Sequence, residues 1–218
     1  MLQKIQAELK ALNPQTRIVA VSKLQSVEKI QTLYNQGQKV FAENYAQEAL
    51  QKQQTLADLP IEWHFIGRIQ KNKLKAIVGN FSLLHSVDSL GLALAINQKA
   101  AEKGLQQQVL LQLNLAGEAS KGGFSEKLFA EALPELKKLE HLRCCGLMTM
   151  PPLFTEAEKA RPYFQNLRKI RDKTLTEFPD CRELSMGTSA DYQIAAMEGA
   201  TLVRLGTLLF GERPQLHK

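Results

Sequence analysis

Eight short apolar segments recur along this chain of 218 residues, and their repetition limits the fold more than any other feature of the sequence. All but the last are followed by a stretch with the spacing of an amphipathic helix, such as SVEKIQTLYNQG after the first. The segments are nearly continuous apolar runs, which is typical of parallel strands covered on both faces. They span 17–23, 39–44, 61–67, 83–89, 107–115, 142–150, 181–187 and 201–211.

A strand followed by a helix and then by another strand is the repeating unit of a parallel sheet. Roughly 20 to 40 residues separate successive strand starts, which suits such units with short loops. Eight units favour an α/β fold in which one (β/α)8 TIM barrel occupies residues 1–218 as a single domain. A doubly wound open sheet is the alternative, because its strands would carry the same pattern.

Composition and charge favour a soluble, cytoplasmic protein. The 28 Lys and Arg exceed the 22 Asp and Glu by six, but the cations are interspersed with acids, which indicates a mixed surface rather than a nucleic-acid-binding face. Cys144, Cys145 and Cys181 lack metal-binding spacing and are expected to be reduced thiols. The sequence shows no signal peptide and no apolar run long enough for a membrane span.

The carboxyl ends of the strands of a TIM barrel meet at one rim, where active sites of this fold lie. We therefore expect the functional residues among the polar and small residues that end each apolar segment. These are Lys23, Glu43, Asn44, His64, Gly67, His85, Asp88, Asn114, Met148, the segment 185–189, Arg204 and Gly206.

The stretch SMGTSAD at 185–191 has the composition of an anion-binding loop. Ser189 is predicted to cap the helix that follows, which would leave other N–H groups of the first helical turn facing outward. TIM barrels often bind a phosphate beside the loops after strands seven and eight, and Gly206 would allow a close backbone approach there. The alternative is a capped helix without a ligand.

Lys23 follows the first apolar segment and allows three interpretations. It is a solvated surface lysine, a cation that binds a carboxylate or phosphate, or an amine that attacks a carbonyl to form a Schiff base. A phosphate site on the same rim favours the last two. Pyridoxal 5′-phosphate (PLP) carries both an aldehyde and a phosphate, so it would use both features.

Arg204 lies between Val203 and Leu205 on an apolar strand and is expected to point into the barrel mouth. A buried guanidinium needs an acceptor, and a pyridine nitrogen is one. Because arginine stays protonated, such a nitrogen would remain unprotonated. The alternative is an ion pair with Glu43 or Glu183.

Several motifs in the same order resemble the pyridoxal phosphate homeostasis protein family. They are AVSKLQ, FAENYAQE, WHFIGRIQKNK, HSVDSL, GLMTMPP and LSMGTSADYQIAAMEGATLVRLGTLLFGER, and together they extend from about residue 5 to residue 213. That family is similar to the barrel domain of alanine racemase, a fold-type III PLP protein.

The resemblance implies a set of cofactor-binding residues. Lys23 would carry PLP as an internal aldimine, and Arg204 would face the pyridine nitrogen. The phosphate would contact Ser185, Gly187, Thr188, Ser189 and the backbone near Gly206, while Asn44, His64 and Met148 would lie near the ring.

The expected function is that of a non-catalytic PLP carrier in vitamin B6 homeostasis. Racemases similar to this barrel use a second domain that supplies a further acid–base group, and this sequence ends at Lys218 without one. The carrier is expected to be a monomer that passes PLP to apo-enzymes. The alternatives are a PLP enzyme such as a weak amino-acid racemase, an aldolase that uses Lys23 without a cofactor, and a nucleic-acid-binding protein.

Overall fold

The computed structural model describes residues 1–118 and 121–212, and eight parallel strands form a closed barrel at its centre. Each strand pairs with the next, and the eighth closes against the first, where Arg204 lies beside Val19. This closure confirms the predicted TIM barrel and rules out the open sheet. The strands are β1 (Arg17–Val21), β2 (Val40–Glu43), β3 (Glu62–Phe65), β4 (Leu83–Val87), β5 (Gln107–Leu113), β6 (Leu142–Thr149), β7 (Glu183–Thr188) and β8 (Leu202–Leu205).

Helices surround the barrel, but not every predicted one is full length. The segment after β3 forms a 3-10 turn (Lys71–Lys73) and a single α-turn instead of a long helix, and a short helix follows β8. No helix in the described ranges has the length and apolarity to cross a bilayer. The helices are α1 (Leu2–Leu12), α2 (Val27–Asn35), α3 (Ala46–Thr55), α4 (Leu74–Ile77), α5 (Leu90–Glu102), α6 (Glu126–Leu136), α7 (Arg161–Thr174), α8 (Tyr192–Met197) and α9 (Thr207–Phe210).

Side chains alternate along each strand, so the barrel has two buried layers. In β2, Phe41 packs outward in the large cluster between strands and helices, whereas Val40 and Ala42 point into the barrel. The apolar part of the interior also includes Leu110 and Met148. Because the interior is packed, the cavities among the described residues lie at the two ends of the barrel and not along its middle.

Polar side chains form the other part of the barrel interior. His64, His85 and Ser185 are fully buried, and Arg204 is buried at 5% exposure. Each makes hydrogen bonds to others of this group, as buried polar groups require. The interior therefore combines an apolar cluster with a connected polar network, and β4 and β8 contribute to both.

Candidate functional site

A cavity of about 560 Å³ opens at the carboxyl ends of the strands, and we call it the barrel cavity. Its walls come from the ends of all eight strands or from the loops that follow them, as expected for a TIM-barrel site. The lining residues are Val21, Lys23, Asn44, Ile66, Arg68, Ser86, Asp88, Gln112, Lys121, Gly122, Met148, Met150, Leu153, Thr188, Ser189, Ala190, Arg204, Gly206 and Thr207.

Lys23 lies in the barrel cavity two residues beyond the end of β1, because the strand ends at Val21. Both of its neighbours in the chain are held. The Ser22 hydroxyl donates to Glu43 Oε1 at 2.7 Å, and the Leu24 amide donates to Glu48 Oε1 at 2.7 Å. These bonds fix the backbone on either side of the lysine.

Leu24 adopts a φ of 60°, a left-handed conformation that is uncommon for a residue other than glycine. A side chain in this region costs on the order of 1–2 kcal/mol, so the surrounding contacts must stabilise it. The Glu48 carboxylate does so through the Leu24 amide. The strained turn therefore lies directly beside a cavity-lining lysine.

Three charged side chains behind this turn form what we call the strand-end buttress: Glu43, Glu48 and Lys52. Lys52 Nζ donates to Glu43 Oε1 at 2.9 Å, to Glu48 Oε1 at 2.6 Å and to the Ser22 carbonyl at 2.7 Å. Burial raises the pKa of the Glu43 carboxyl, although the charge of Lys52 opposes that rise. The buttress thus joins the ends of β1 and β2 to α3.

Asn44 follows β2 and also lines the barrel cavity. Its Oδ1 atom is buried and has no hydrogen-bond partner among the described residues. Such an atom costs free energy unless a ligand or water donates to it. Met148 of β6 provides an apolar wall of the same cavity. Both residues were predicted to lie near a bound ring, and their positions in the cavity are compatible with that.

The prediction that Ser189 caps the next helix is wrong. The helix α8 begins after Asp191, whose carboxylate accepts hydrogen bonds from the Thr188 amide at 2.6 Å and from the Thr188 hydroxyl at 3.0 Å. Asp191 occupies the N-cap position of α8, but its carboxylate closes the turn before the helix instead of accepting from an amide of the first helical turn. Ser189 lies in the cavity wall. Asp is as common as Ser at the N-cap position, so composition alone could not decide whether the helix begins after Ser189 or after Asp191.

Arg204 points into the barrel and reaches the barrel cavity, as predicted. It is not paired with Glu43 or Glu183 as the alternative required. Its Nη1 atom donates to Ser185 Oγ at 2.6 Å, and Nη2 donates to the Thr149 carbonyl at 3.0 Å. Burial lowers the pKa of Arg204 to about 10, so the guanidinium is still charged at neutral pH.

Three predicted site residues, His64, Ser185 and Gly187, do not line the barrel cavity. His64 and Ser185 lie deeper in the barrel, where their hydrogen bonds connect them to His85 and Arg204. Both residues lie one layer below the rim of the barrel. Their positions therefore do not indicate direct contact with a ligand in the cavity. Gly187 instead packs β7 against α8, as its surroundings show.

Replacing Gly187 with alanine is expected to destabilise the fold strongly. Its φ is 88°, and an added Cβ would lie 2.5 Å from Ala195 Cβ and 3.1 Å from Tyr192 Cα. The expected loss of unfolding free energy, measured by urea denaturation, is about 3 kcal/mol from strain and overpacking together. The control is Gly37→Ala, with a φ of 100° and no described heavy atom within 4 Å of its Cβ, for which we expect about 1 kcal/mol. Equal losses for both variants would contradict the packing role of Gly187.

The cavity also contains polar residues that sequence reasoning missed, among them Arg68, Ser86 and Gln112. Gln112 Nε2 donates to the Gly122 carbonyl at 2.6 Å, and Ser86 donates to the Gly67 carbonyl. Ser86 and Gln112 are polar residues near the carboxyl ends of β4 and β5, and that position was the available signal.

Lys121 lies in the cavity wall, and its contacts connect two loops. Its Nζ atom lies 2.8 Å from Glu118 Oε2 and donates to the Pro151 carbonyl at 3.0 Å. It thereby ties the loop after β5 to the segment after β6. Residues 119 and 120 of the same loop lie outside the described residues. Within the described ranges, no group of three or more His, Cys, Asp or Glu side chains could hold a metal ion.

Known proteins share both the sequence and the fold. The family model for the alanine racemase N-terminal domain matches residues 2–214. The pyridoxal phosphate homeostasis protein of Aquifex aeolicus is 43% identical over 198 residues, which cover 90% of this chain and 87% of the relative. PipY of Synechococcus elongatus PCC7942, solved with PLP bound, is 36% identical with a TM-score of 0.87, and the match covers 95% of this chain and 100% of PipY.

Alanine racemase of Clostridium difficile 630 in complex with cycloserine shares the fold, with a TM-score of 0.74 at 23% identity. That match covers 96% of this chain but 59% of the racemase chain. The family model, the curated relative and the PipY structure agree over nearly the whole barrel. The chain therefore belongs to the pyridoxal phosphate homeostasis protein family, whose barrel is that of the alanine racemase N-terminal domain.

Proposed function

We propose that this protein binds PLP in the barrel cavity and carries it without catalysing a reaction. The observation that supports this most strongly is that Lys23, Arg204 and the hydroxyl-bearing loop at Thr188 and Ser189 face one cavity. An amine, a buried cation and an anion-compatible loop match the aldehyde, the pyridine nitrogen and the phosphate of PLP. The names of the relatives agree with this ligand.

The residues of the cavity fit PLP in detail. Asn44 Oδ1 is a buried acceptor without a partner, and a ring hydroxyl could donate to it. Ser189 and Thr207 offer hydroxyl groups on the side of the cavity formed by the segments after β7 and β8, whereas the Thr188 hydroxyl donates to Asp191. Lys23 would bind the aldehyde carbon covalently. When bound, PLP supplies an electrophilic aldehyde conjugated to a ring that can withdraw electrons.

Arg204 favours carriage over catalysis. Its guanidinium is held by Ser185 and Thr149 and stays protonated, so it can donate to a pyridine nitrogen but does not give up its proton there. A ring nitrogen without a proton withdraws electrons weakly, which disfavours a carbanion next to it. The site is thus suited to hold a reactive aldehyde.

In this role the protein acts as a cytoplasmic monomer and passes PLP to the apo forms of PLP-dependent enzymes. The reversible bond between an amine and an aldehyde supports such transfer, because a second amine can displace the first. Lys23 lies in a cavity that is open to solvent, so an amine of the recipient enzyme could reach the bound aldehyde.

The test combines transfer with turnover. The PLP-loaded protein is mixed with an apo-aminotransferase, and in parallel with L-alanine in D2O. We expect the aminotransferase to recover its activity. We also expect deuterium to enter the α position of alanine at the same rate as it does with free PLP. Lys23-dependent deuterium exchange well above the free-PLP rate would instead show a PLP enzyme, and failure to bind PLP would end the proposal.

A further inference from the structure

A chain of polar side chains runs through the barrel interior from the cavity to the amino ends of the strands, and we call it the interior relay. Arg204 Nη1 lies 2.6 Å from Ser185 Oγ, and Ser185 Oγ lies 2.9 Å from His85 Nδ1. His85 Nε2 lies 3.0 Å from His64 Nδ1, and His64 Nε2 lies 2.8 Å from Glu62 Oε1. The five residues come from β3, β4, β7 and β8.

The donor direction at the cavity end is set by Arg204, since a guanidinium only donates. Ser185 Oγ accepts that hydrogen bond and still has one proton to give. Within the described part of the chain, the hydroxyl has hydrogen-bond geometry only with Arg204 and His85. Ser185 must therefore donate to His85 Nδ1, or its proton is buried without an acceptor.

His85 transmits this direction to the next histidine. Burial holds the pKa of His85 well below its ordinary value, so the ring is neutral and carries one proton. If Nδ1 accepts from Ser185, that proton is on Nε2 and is donated to His64 Nδ1. The opposite tautomer would leave the Ser185 hydroxyl unsatisfied, which costs on the order of 1–3 kcal/mol.

The far end of the interior relay is anchored by charge. With Nδ1 as an acceptor, His64 carries its proton on Nε2 and donates it to Glu62. This hydrogen bond lowers the pKa of the Glu62 carboxyl, which keeps the acceptor ionised. Arg17 lies 3.7 Å from Glu62 and 3.3 Å from Glu183 at the same end of the barrel.

We propose that the interior relay is a one-directional hydrogen-bond chain, Arg204 to Ser185 to His85 to His64 to Glu62, that positions Arg204 toward the PLP ring. His64, His85 and Ser185 are then positioning residues, and Glu62 acts on the cofactor from outside the barrel cavity. The part of the inference that concerns PLP rests on the proposed function. The donor direction is a property of the protein without PLP.

The first test reads the tautomers directly in the protein without PLP. Long-range 1H–15N NMR correlations of histidine-labelled protein should show both His64 and His85 protonated at Nε2 and bare at Nδ1, with assignments from His64→Gln and His85→Gln. A proton on Nδ1 of either ring would overturn the proposal. This result does not depend on PLP binding, so it separates failure of the relay from failure of the proposed function.

The second test asks whether the far end affects the cofactor. Leucine at position 62 cannot accept from His64, whereas glutamine can. We expect Glu62→Leu to weaken PLP binding about threefold and to shift the absorbance of the bound cofactor, and Glu62→Gln to preserve both. His85→Phe, which breaks the chain closer to Arg204, is expected to weaken binding about tenfold.

A matched control exists at the same end of the barrel. Asp180 pairs with Arg143 at 3.0 Å, and in the described part of the chain its side chain makes no hydrogen bond or ion pair with the interior relay. Asp180→Leu should therefore leave PLP affinity and absorbance unchanged. Unchanged affinity and absorbance in both Glu62→Leu and His85→Phe, with folded protein by circular dichroism, would refute the positioning role. Equal effects of Glu62→Leu and Asp180→Leu would do the same.

Discussion

Replacing Lys23 with alanine is expected to abolish covalent binding of PLP. Lys23 lines the barrel cavity, and the hydrogen bonds of Ser22 and Leu24 hold its backbone in place. Alanine removes the only atom that would bond to the aldehyde, so the loss should be complete rather than partial. The measurement is a spectrophotometric titration with PLP, in which the absorbance change of the lysine–PLP bond disappears.

The control for this variant is Lys121→Ala. Lys121 lines the same cavity, and its contacts with Glu118 and the Pro151 carbonyl tie two loops together. We expect this variant to retain the absorbance change. If Lys23→Ala retains it and Lys121→Ala loses it, the covalent site is assigned to the wrong lysine.

Replacing Lys52 with methionine is expected to lower the free energy of unfolding by about 3–5 kcal/mol. The amine is nearly enclosed and donates to Glu43, Glu48 and the Ser22 carbonyl. Methionine fills a similar volume but leaves the buried Glu43 carboxylate without its counter-charge. Urea denaturation measures the loss, and Lys138→Met, which removes an exposed pair with Glu135, should change stability by less than about 1 kcal/mol.

The loss should depend on pH and on Glu43. Burial already raises the pKa of the Glu43 carboxyl, and removal of Lys52 raises it further. An acid whose folded pKa exceeds its unfolded value contributes stability at low pH that is lost as pH rises, so the deficit should be smaller at about pH 5 than at about pH 8. Addition of Glu43→Gln should restore most of the stability. A deficit that does not change with pH or with Glu43→Gln would contradict the role of the buried ion pair.

The barrel could be predicted because its signal is repeated along the chain. Eight apolar runs separated by amphipathic helices are compatible with few folds that contain a parallel sheet. The pairing of β1 with β8 closes that sheet into the expected barrel. The location of Lys23 and Arg204 in the cavity could also be predicted. Each is a charged residue in or directly after an apolar strand, where charged residues are uncommon. Their roles toward PLP stay predictions, because the residue types alone left more than one interpretation open for each.

The depth of a residue in the barrel could not be predicted from the sequence. His64 and His85 looked like rim residues, yet they lie below the cavity because strand ends do not reveal the stagger between neighbouring strands. The choice of Asp191 over Ser189 depended on backbone conformation after Gly187. In the strand-end buttress, Glu48 and Lys52 form an i,i+4 pair that a helical pattern could have indicated. The bonds from Lys52 to Glu43 and to the Ser22 carbonyl could not be predicted, because they depend on how α3 packs against the ends of β1 and β2.

Reduction with borohydride shows which lysine forms the covalent bond to PLP. The PLP-loaded protein is reduced, digested and mapped by mass spectrometry. We expect one phosphopyridoxyl group, located on the peptide that contains Lys23. A group on any other lysine, or an unmodified protein after reduction, would mean that Lys23 is not the attachment site.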